Sequence, residues 1–305
     1  MQVDVIDLQF QGQNGAIAAF LVSGPEGKFL IETGPESTLD VMQEGLKSRG
    51  ITVSDLEAVF VTHIHLDHAG AAGWFADQGV PLYVHTKGAR HLISPERLLE
   101  SAREVYGERF EPLWGGMTPA PAEKVVAMAD GDVVEVGGLK IKAVNAPGHA
   151  YHQHAFLIDD VCFPGDAAGA RLGGGDFISV TSAPPQFNLE DTLETIDNLS
   201  SLGFGRLFLT HYGEIEDIAE HLASYREAVE LNALFIRQRI EEGMDSETLR
   251  VAYEAFQMEQ AFRERVPPEL WQTYQIINGS DMCADGIRLY WEKMLASERS
   301  AKKTL

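Results

Sequence analysis

The sequence predicts an α/β domain followed by an all-helical addition, and three observations support this prediction. Up to about residue 215, short β-like runs alternate with turns and helical stretches. After residue 214 the strand pattern ends and helical periodicity takes over. Histidines and aspartates concentrate where predicted strands end, which is where scaffolds place functional groups. We therefore predict one domain over residues 1–215 and a helical C-terminal extension over residues 216–305.

The strands are predicted from short apolar, β-branched runs bounded by turn residues. These runs cover residues 16–22, 28–33, 58–63, 81–85, 139–144, 154–158, 160–165 and 206–211.

Two helices are predicted between the strands. The first begins at Ser37, whose side chain can cap it, and ends at Gly50. The second is capped by Asn188 and carries an apolar stripe that ends at Leu199.

The segment 87–117 is predicted to leave the sheet as a helix followed by a Gly/Pro-rich stretch. Its Trp114 and Met117 are expected to be exposed. The segment either covers a site or forms a surface helix and loop without function.

The C-terminal extension is predicted to contain three helical regions, at 215–243, 246–266 and 267–300. Apolar residues at helical spacing, such as Leu222 and Tyr225, are expected to pack against the core. A cap over a site and a homodimer interface both stay open.

The formal net charge of -22 is spread along the chain. Such a charge repels nucleic acid and anionic membrane surfaces, so neither is expected as a partner. A small-molecule substrate is the remaining expectation.

Compartment is predicted from the cysteines and the N-terminus. Cys162 and Cys283 stand in no ligand spacing, so we expect free thiols and a reducing compartment. No basic leader and no apolar run of about 20 residues is present. A soluble cytoplasmic protein is predicted.

The stretch THIHLDHAG, residues 62–70, is the strongest chemical signal. It follows a predicted strand, so its side chains can point into one cavity, as metal binding requires. The four candidate ligands are His63, His65, Asp67 and His68.

Further candidate ligands follow three later predicted strands. They are His149 in NAPGHA, Asp166 in FPGDAAG and His211 in LFLTHYG. Imidazole and carboxylate without thiolate suit Zn²⁺, and also Fe or Mn.

These motifs resemble those of the metallo-β-lactamase superfamily over roughly residues 1–215. The resemblance implies a four-layer αββα sandwich with two metal ions. It assigns His63, His65 and His149 to the first metal and Asp67, His68 and His211 to the second. Asp166 would bridge them.

The PGH and GD segments look most like the glyoxalase II and lactonase branches of that family. The expected activity is a dinuclear hydrolase, with zinc the first expectation and Fe or Mn open. A metal-bridging hydroxide would attack a small ester, thioester or lactone. Asp67 would orient this nucleophile and pass its proton to the leaving group.

Three departures from the family narrow this expectation. Glu32 stands where relatives usually have aspartate, so we expect it to support a ligand or to have a structural role, and not to bind metal. Gly169 stands where acyl-homoserine lactonases usually have tyrosine. The C-terminal helices also lack a convincing match to the glutathione-binding residues of glyoxalase II.

Substrate contacts are predicted at three residues. Arg171 could clamp a substrate carboxylate, and a structural ion pair is the alternative. Tyr212 could donate to an oxyanion, as could Tyr151, with simple packing as the alternative. His152 and His154, which alternation in a strand would place on one face, are expected to be packed or at the surface.

Two alternative activities on the same fold stay open. One is a mononuclear iron oxidoreductase resembling persulfide dioxygenases. The other is hydrolysis of a small phosphodiester. The alternative from another functional class is a non-catalytic binding module, in which the metals only hold loops together.

Overall fold

The computed structural model describes residues 1–173 and 175–303. The chain forms two compact units. Unit 1 comprises Met1–Ala146, His152–Gly165 and Gly203–Glu216, and unit 2 comprises Pro147–Tyr151, Asp166–Leu202 and the chain from Asp217 onward. The domain boundary between residues 215 and 216 stays a prediction.

The first sheet of unit 1 has the order β1-β2-β3-β4-β5-β6. The strands are antiparallel from β1 to β3 and parallel from β3 to β6. Their bounds are β1 Gln2–Asp7, β2 Ala18–Ser23, β3 Lys28–Ile31, β4 Leu56–Phe60, β5 Leu82–His85 and β6 Val125–Met128.

The second sheet of unit 1 has the order β12-β11-β10-β9-β8-β7. Its strand pairs are antiparallel except for β10 with β11, which is parallel. Their bounds are β7 Val133–Val136, β8 Leu139–Asn145, β9 His154–Ile158, β10 Val161–Phe163, β11 Arg206–Leu209 and β12 Gly213–Ile215.

The core of unit 1 lies between its two sheets. Phe20 of the first sheet contacts Phe163 of the second, with ring centroids 5.2 Å apart, and Phe60 contacts Phe156 at 5.3 Å. All four rings are buried, and burying one such side chain stabilises a fold by about 1.5–3 kcal/mol. This packing fixes the strand ends from which the candidate ligands emerge.

The helices of unit 1 are short. Their bounds are α1 Leu39–Ser48, α2 Leu66–Ala69, α3 Ala72–Asp77, α4 Ala89–Ile93, α5 Glu96–Tyr106 and α6 Phe110–Trp114. Ser37 does not cap α1. It lies in a 3₁₀ turn before the helix, and its hydroxyl donates to the Leu113 carbonyl.

The expected exposure of Trp114 and Met117 is wrong, because both side chains are buried. Trp114 stacks on Phe10 with ring centroids 5.4 Å apart. Hydrophobic burial therefore outweighs the loop-like Gly/Pro composition around these residues.

Unit 2 is helical. Its helices are α7 Leu189–Ser201, α8 Ile218–Glu241, α9 Ser246–Arg263, α10 Pro268–Ile277 and α11 Ser280–Lys303. The predicted cap of α7 is confirmed, because the Asn188 side chain accepts from the Asp191 N–H. The third predicted C-terminal region is two helices, since the chain leaves helical geometry at Asn278.

Side chains from α8, α9 and α11 form the core of these helices, including Ile236, Leu249, Tyr253 and Ile287. Within residues 1–173 and 175–303, none of the helices has both the length and the apolar character needed to cross a bilayer.

Candidate metal centre

The stretch THIHLDHAG connects strand β4 to helix α2 in unit 1. β4 ends at Phe60, and His65 has extended backbone angles, φ −62° and ψ 150°, immediately before the helix. His63 therefore lies on the connecting loop, while Asp67 and His68 lie on α2. A rigid strand end and one short helical turn thus present four candidate ligands.

Helix α2 is held against the loop that follows β3. The backbone N–H and the hydroxyl of Thr33 both donate to the His68 carbonyl, at 2.9 and 3.0 Å. Gly70 permits this approach, because a Cβ there would lie 2.8 Å from Cα of Pro35. The position of His68 is thereby fixed by backbone contacts.

The candidate ligands of unit 1 converge. The imidazole centroid of His63 lies 4.6 Å from that of His65 and 4.0 Å from that of His68. Oδ2 of Asp67 lies 3.5 Å from Nε2 of His68 and 3.3 Å from Nε2 of His211. The ligand atoms of Asp67, His68 and His211 all lie within 4.8 Å of one another.

His211 reaches this cluster from the end of β11. Its Nδ1 lies 2.9 Å from the Ala16 carbonyl oxygen. Because a carbonyl only accepts, Nδ1 carries a hydrogen, and in the neutral ring Nε2 is then the nitrogen with a lone pair. That nitrogen faces Asp67, which is the arrangement a metal ligand requires.

Glu32 connects two of the histidines, as its predicted supporting role requires. Its Oε1 lies 3.1 Å from Nδ1 of His68 and accepts from the Thr62 hydroxyl at 2.5 Å. The Thr62 oxygen in turn lies 3.0 Å from Nδ1 of His63. Since the single hydroxyl hydrogen goes to Glu32, the His63 Nδ1–H donates to Thr62.

The charge of Asp67 is set by opposing effects. Burial alone would raise its pKa, but His68 and His211, when protonated at Nε2, outweigh burial through their charge and the hydrogen bonds they donate. They hold the pKa of Asp67 well below its usual range. The side chain is therefore a carboxylate, the form that binds cations.

His149 and Asp166 lie in unit 2. Nδ1 of His149 donates to the Thr181 carbonyl at 2.8 Å, which leaves Nε2 as the ligand nitrogen. That Nε2 lies 3.4 Å from Oδ2 of Asp166. The hydroxyl of Thr181 also donates to the Asp166 backbone carbonyl at 2.7 Å.

These donor sets fit divalent metal ions. Unit 1 brings five of the predicted ligands together, and unit 2 places the other two beside each other. Imidazole nitrogens and carboxylate oxygens, held by backbone carbonyls or a carboxylate behind them, are the usual surroundings of zinc and similar ions. The grouping of all seven into a two-metal centre stays a prediction.

The predicted substrate residues have protein partners. In Arg171, Nε donates to the Gly175 carbonyl at 2.6 Å and Nη2 pairs with Asp176 at 3.0 Å. Burial and the carboxylate of Asp7 raise the pKa of the half-buried Tyr212. Contact of either residue with substrate stays a prediction.

His152 and His154 are both buried. β9 begins at His154, so His152 precedes the strand. The His152 ring centroid lies 5.6 Å from that of His65 and 6.2 Å from that of His63. His154 instead lies beside His85, with ring centroids 4.4 Å apart.

Sequence reasoning missed Thr62 and Thr181. Thr62 bonds to the next residue, His63, whereas Thr181 bonds to His149, which lies 32 positions earlier. No common spacing connects the two pairs. Threonine is common and carries no spacing signature, so only the folded chain identifies them.

The comparisons with known proteins agree on one fold. A family model described as the metallo-beta-lactamase superfamily matches residues 12–211. A metallo-beta-lactamase family protein from Thermus thermophilus aligns with a TM-score of 0.70 at 18% identity, covering 96% of this chain and 93% of that one. The predicted α/β class, an αββα sandwich with an all-helical C-terminal addition, is confirmed.

The relatives found by sequence match only part of this chain. A metallo-beta-lactamase fold-containing protein from Sulfurisphaera tokodaii is 25% identical over 185 residues, which is 58% of this chain and 70% of that protein. An atrochrysone carboxyl ACP thioesterase from Emericella nidulans is 30% identical over 202 residues, 62% of this chain and 50% of the thioesterase. The alignment therefore spans half the length of that thioesterase.

Proposed function

Because the chain belongs to the metallo-β-lactamase superfamily, we propose that it is a metal-dependent hydrolase of a small ester, thioester or lactone. The superfamily consists mainly of hydrolases, and the His/Asp clusters of this chain could bind metal ions. The proposal extends this to a two-metal centre, with zinc the first candidate and Fe or Mn the alternatives.

The proposed ligands divide into two sets with one shared residue. His63, His65 and His149 would hold one ion, and Asp67, His68 and His211 would hold the other. Asp166 would be the shared ligand.

The observation that carries the proposal is the convergence on Asp67. Nε2 atoms from α2 and from the end of β11 approach one carboxylate oxygen at 3.5 and 3.3 Å. His211 is far in sequence from Asp67 and His68, and each of the two histidines has its other nitrogen occupied by a protein acceptor. Ligand histidines oriented in this way are the common pattern of metal sites.

When bound, two divalent ions lower the pKa of a water molecule towards neutrality and polarise a carbonyl oxygen. The chain's own residues prepare this chemistry. Glu32 and Thr62 hold His63 and His68 with Nε2 presented, and the Thr181 carbonyl does the same for His149. The Asp67 carboxylate accepts a hydrogen bond from the nucleophilic water. It takes up the proton that this water loses and transfers that proton to the leaving group.

Thioesters are the first substrates to test. The relative from Emericella nidulans is described as a thioesterase, although it is 30% identical over only part of each chain. The net charge of -22 favours a small-molecule substrate over an anionic polymer.

The test combines metal counting with hydrolysis. Wild type, His211→Ala and the control His91→Ala are purified, their metals counted by elemental analysis, and a thioester, ester and lactone panel assayed. We expect two ions per chain in wild type and in His91→Ala, and one ion with no hydrolysis in His211→Ala. A single iron unaffected by His211→Ala, with oxygen consumed in the presence of a persulfide, would overturn the proposal.

A further inference from the structure

Helix α8 places two buried side chains against the turn that carries Asp166. His221 and Tyr225 are four residues apart and therefore lie on the same helix face. Nε2 of His221 lies 2.9 Å from the Ala168 carbonyl oxygen, so it donates to that carbonyl. All of these residues belong to unit 2.

The ring of Tyr225 packs on the same turn one residue further along. A Cβ at Gly169 would lie 2.5 Å from Cε2 of Tyr225, so the chain and the ring are in direct contact. Gly169 also has a φ of +75°, which glycine adopts without strain. The glycine that departs from the lactonase pattern thus makes room for Tyr225.

The hydroxyl of Tyr225 lies 3.2 Å from the hydroxyl oxygen of Thr181. The direction of this bond follows from hydrogen counting. Thr181 has one hydroxyl hydrogen, and the Asp166 carbonyl at 2.7 Å accepts it. Tyr225 is therefore the donor to Thr181.

Thr181 contacts both proposed ligands of unit 2. Its hydroxyl holds the Asp166 backbone, and its carbonyl accepts from Nδ1 of His149 at 2.8 Å. A displacement of Thr181 would consequently rotate the His149 ring and shift Asp166 together. Tyr225, as the donor behind Thr181, limits that displacement.

We infer that Tyr225 and Thr181 are positioning residues for His149 and Asp166, so that helix α8 forms part of the metal-binding structure. The inference rests on the proposed function in one respect, namely that His149 and Asp166 bind metal. It differs from the prediction that Tyr225 merely packs against a core, because the hydroxyl and not only the ring is required.

The experiment compares Tyr225→Phe with Tyr253→Phe. Both tyrosines are buried in unit 2, and Tyr253 donates its hydroxyl to Asn232 at 2.5 Å, among helices α8, α9 and α11. Each variant loses one buried hydroxyl, so the loss of stability is matched. Zinc affinity is measured in the full-length protein by competition with a chelator.

Tyr225→Phe is expected to lower the affinity for zinc roughly tenfold, and Tyr253→Phe to leave it unchanged. Tenfold is the low end of the loss seen when residues that orient metal ligands are substituted. Thr181→Val is expected to lower affinity further, about 10–100-fold, and Thr181→Ser to restore it because the hydroxyl returns. Equal affinities in Tyr225→Phe and Tyr253→Phe would overturn the inference.

A metal-free measurement separates this inference from the proposed hydrolysis. In apo protein, hydrogen exchange of a peptide covering residues 166–169 is expected to accelerate in Tyr225→Phe and not in Tyr253→Phe. Wild type that binds zinc tightly but cleaves no ester, thioester or lactone would contradict the proposed function alone. Unchanged exchange in Tyr225→Phe would contradict the positioning role alone.

Discussion

Oε1 of Glu32 lies 3.1 Å from Nδ1 of His68 and 2.5 Å from the hydroxyl of Thr62, which accepts from Nδ1 of His63. One carboxylate therefore fixes two histidines with Nε2 presented. In the proposed centre these two histidines bind different ions. In that centre Glu32 would couple the geometry of both ions without contacting either.

We expect Glu32→Gln to weaken metal binding about 10–100-fold. The Glu32 carboxylate accepts from Thr62 twice, through the hydroxyl at Oε1 and the backbone N–H at Oε2, 3.3 Å away. An amide in either orientation places its NH₂ against one of these donors. Zinc affinity is measured by chelator competition.

The matched variant is Glu32→Asp, which restores the aspartate usual in relatives. It keeps the charge but withdraws the carboxylate by about 1.5 Å, the length of one C–C bond. Because Glu32 has a φ of +64° and is fully buried, the backbone has little freedom to compensate. Full zinc affinity in both variants would contradict the supporting role.

The strands that sequence reasoning missed are the edge strands of both sheets in the described chain, β1, β6, β7 and β12. Their side chains are partly exposed, as in β7, where Val133 and Glu135 are exposed. An edge strand needs less apolar character because one side meets solvent. The central strands were all predicted, because most of them, such as β2 and β10, are buried and carry continuous apolar runs.

The candidate site divides in the same way. His63, Asp67 and His211 were identifiable because histidine and aspartate at strand ends are unusual residues in a constrained place. Thr181 and Tyr225 were not, because a hydrogen bond between residues 44 positions apart leaves no periodic trace. Chemistry-bearing residues are visible in sequence, whereas the residues that orient them require the fold.

Gly148→Ala is expected to destabilise the protein by about 3 kcal/mol. Gly148 has a φ of +125°, and a Cβ there would lie 2.5 Å from Cα of Thr192, which is backbone at the start of α7 and cannot rotate away. The substitution would also displace His149, the next residue. Urea denaturation measures the change in unfolding free energy.

Gly243→Ala is the control for backbone strain alone. Gly243 also has a positive φ, +84°, but no atom lies within 4 Å of the Cβ it would gain. Gly243→Ala is expected to lower the free energy of unfolding by about 1 kcal/mol. A cost for Gly148→Ala no greater than for Gly243→Ala would show that the contact with Thr192 is relieved cheaply.

Acid is expected to destabilise the protein through His85. The ring lies 4.4 Å from His154, and its Nδ1 accepts from the Lys87 N–H at 2.9 Å. Burial, followed by the charges of His154 and Lys87, lowers the pKa of His85 to about 4, although Asn145 and Asp130 oppose the shift. Burial also lowers the pKa of His154.

The sign follows from proton counting. In the unfolded chain His85 binds a proton below a pH of about 6.5. In the folded chain it binds this proton only when the pH falls to about 4. The free energy of unfolding therefore decreases as the pH is lowered across this window, by about 1.4 kcal/mol per pH unit for one proton. The stabilising contribution is fully present above that window.

Denaturation at several pH values between 7 and 4 tests this expectation, with His85→Gln expected to flatten the slope. His91→Gln, at a half-buried position of α4, is the comparison and should flatten it less. A slope that His85→Gln leaves unchanged would mean that other groups govern acid stability.

Arg171→Ala is expected to raise KM for a carboxylated ester about tenfold while leaving KM for a neutral ester unchanged. Loss of one charge-assisted hydrogen bond to a carboxylate corresponds to roughly this factor. The structure supplies the competing explanation, because Nη2 of Arg171 pairs with Asp176 at 3.0 Å and Nε donates to the Gly175 carbonyl at 2.6 Å.

Asp176→Asn separates the two roles of Arg171. It removes the charge of the ion-pair partner, and Asp176 is mostly exposed, with 79% of its side chain accessible. If Arg171 binds substrate, Asp176→Asn should leave or lower KM for the carboxylated ester, because the guanidinium loses a competing carboxylate. If the ion pair is only structural, both substitutions should change the unfolding free energy and shift KM equally for carboxylated and neutral esters, which would rule out the substrate contact.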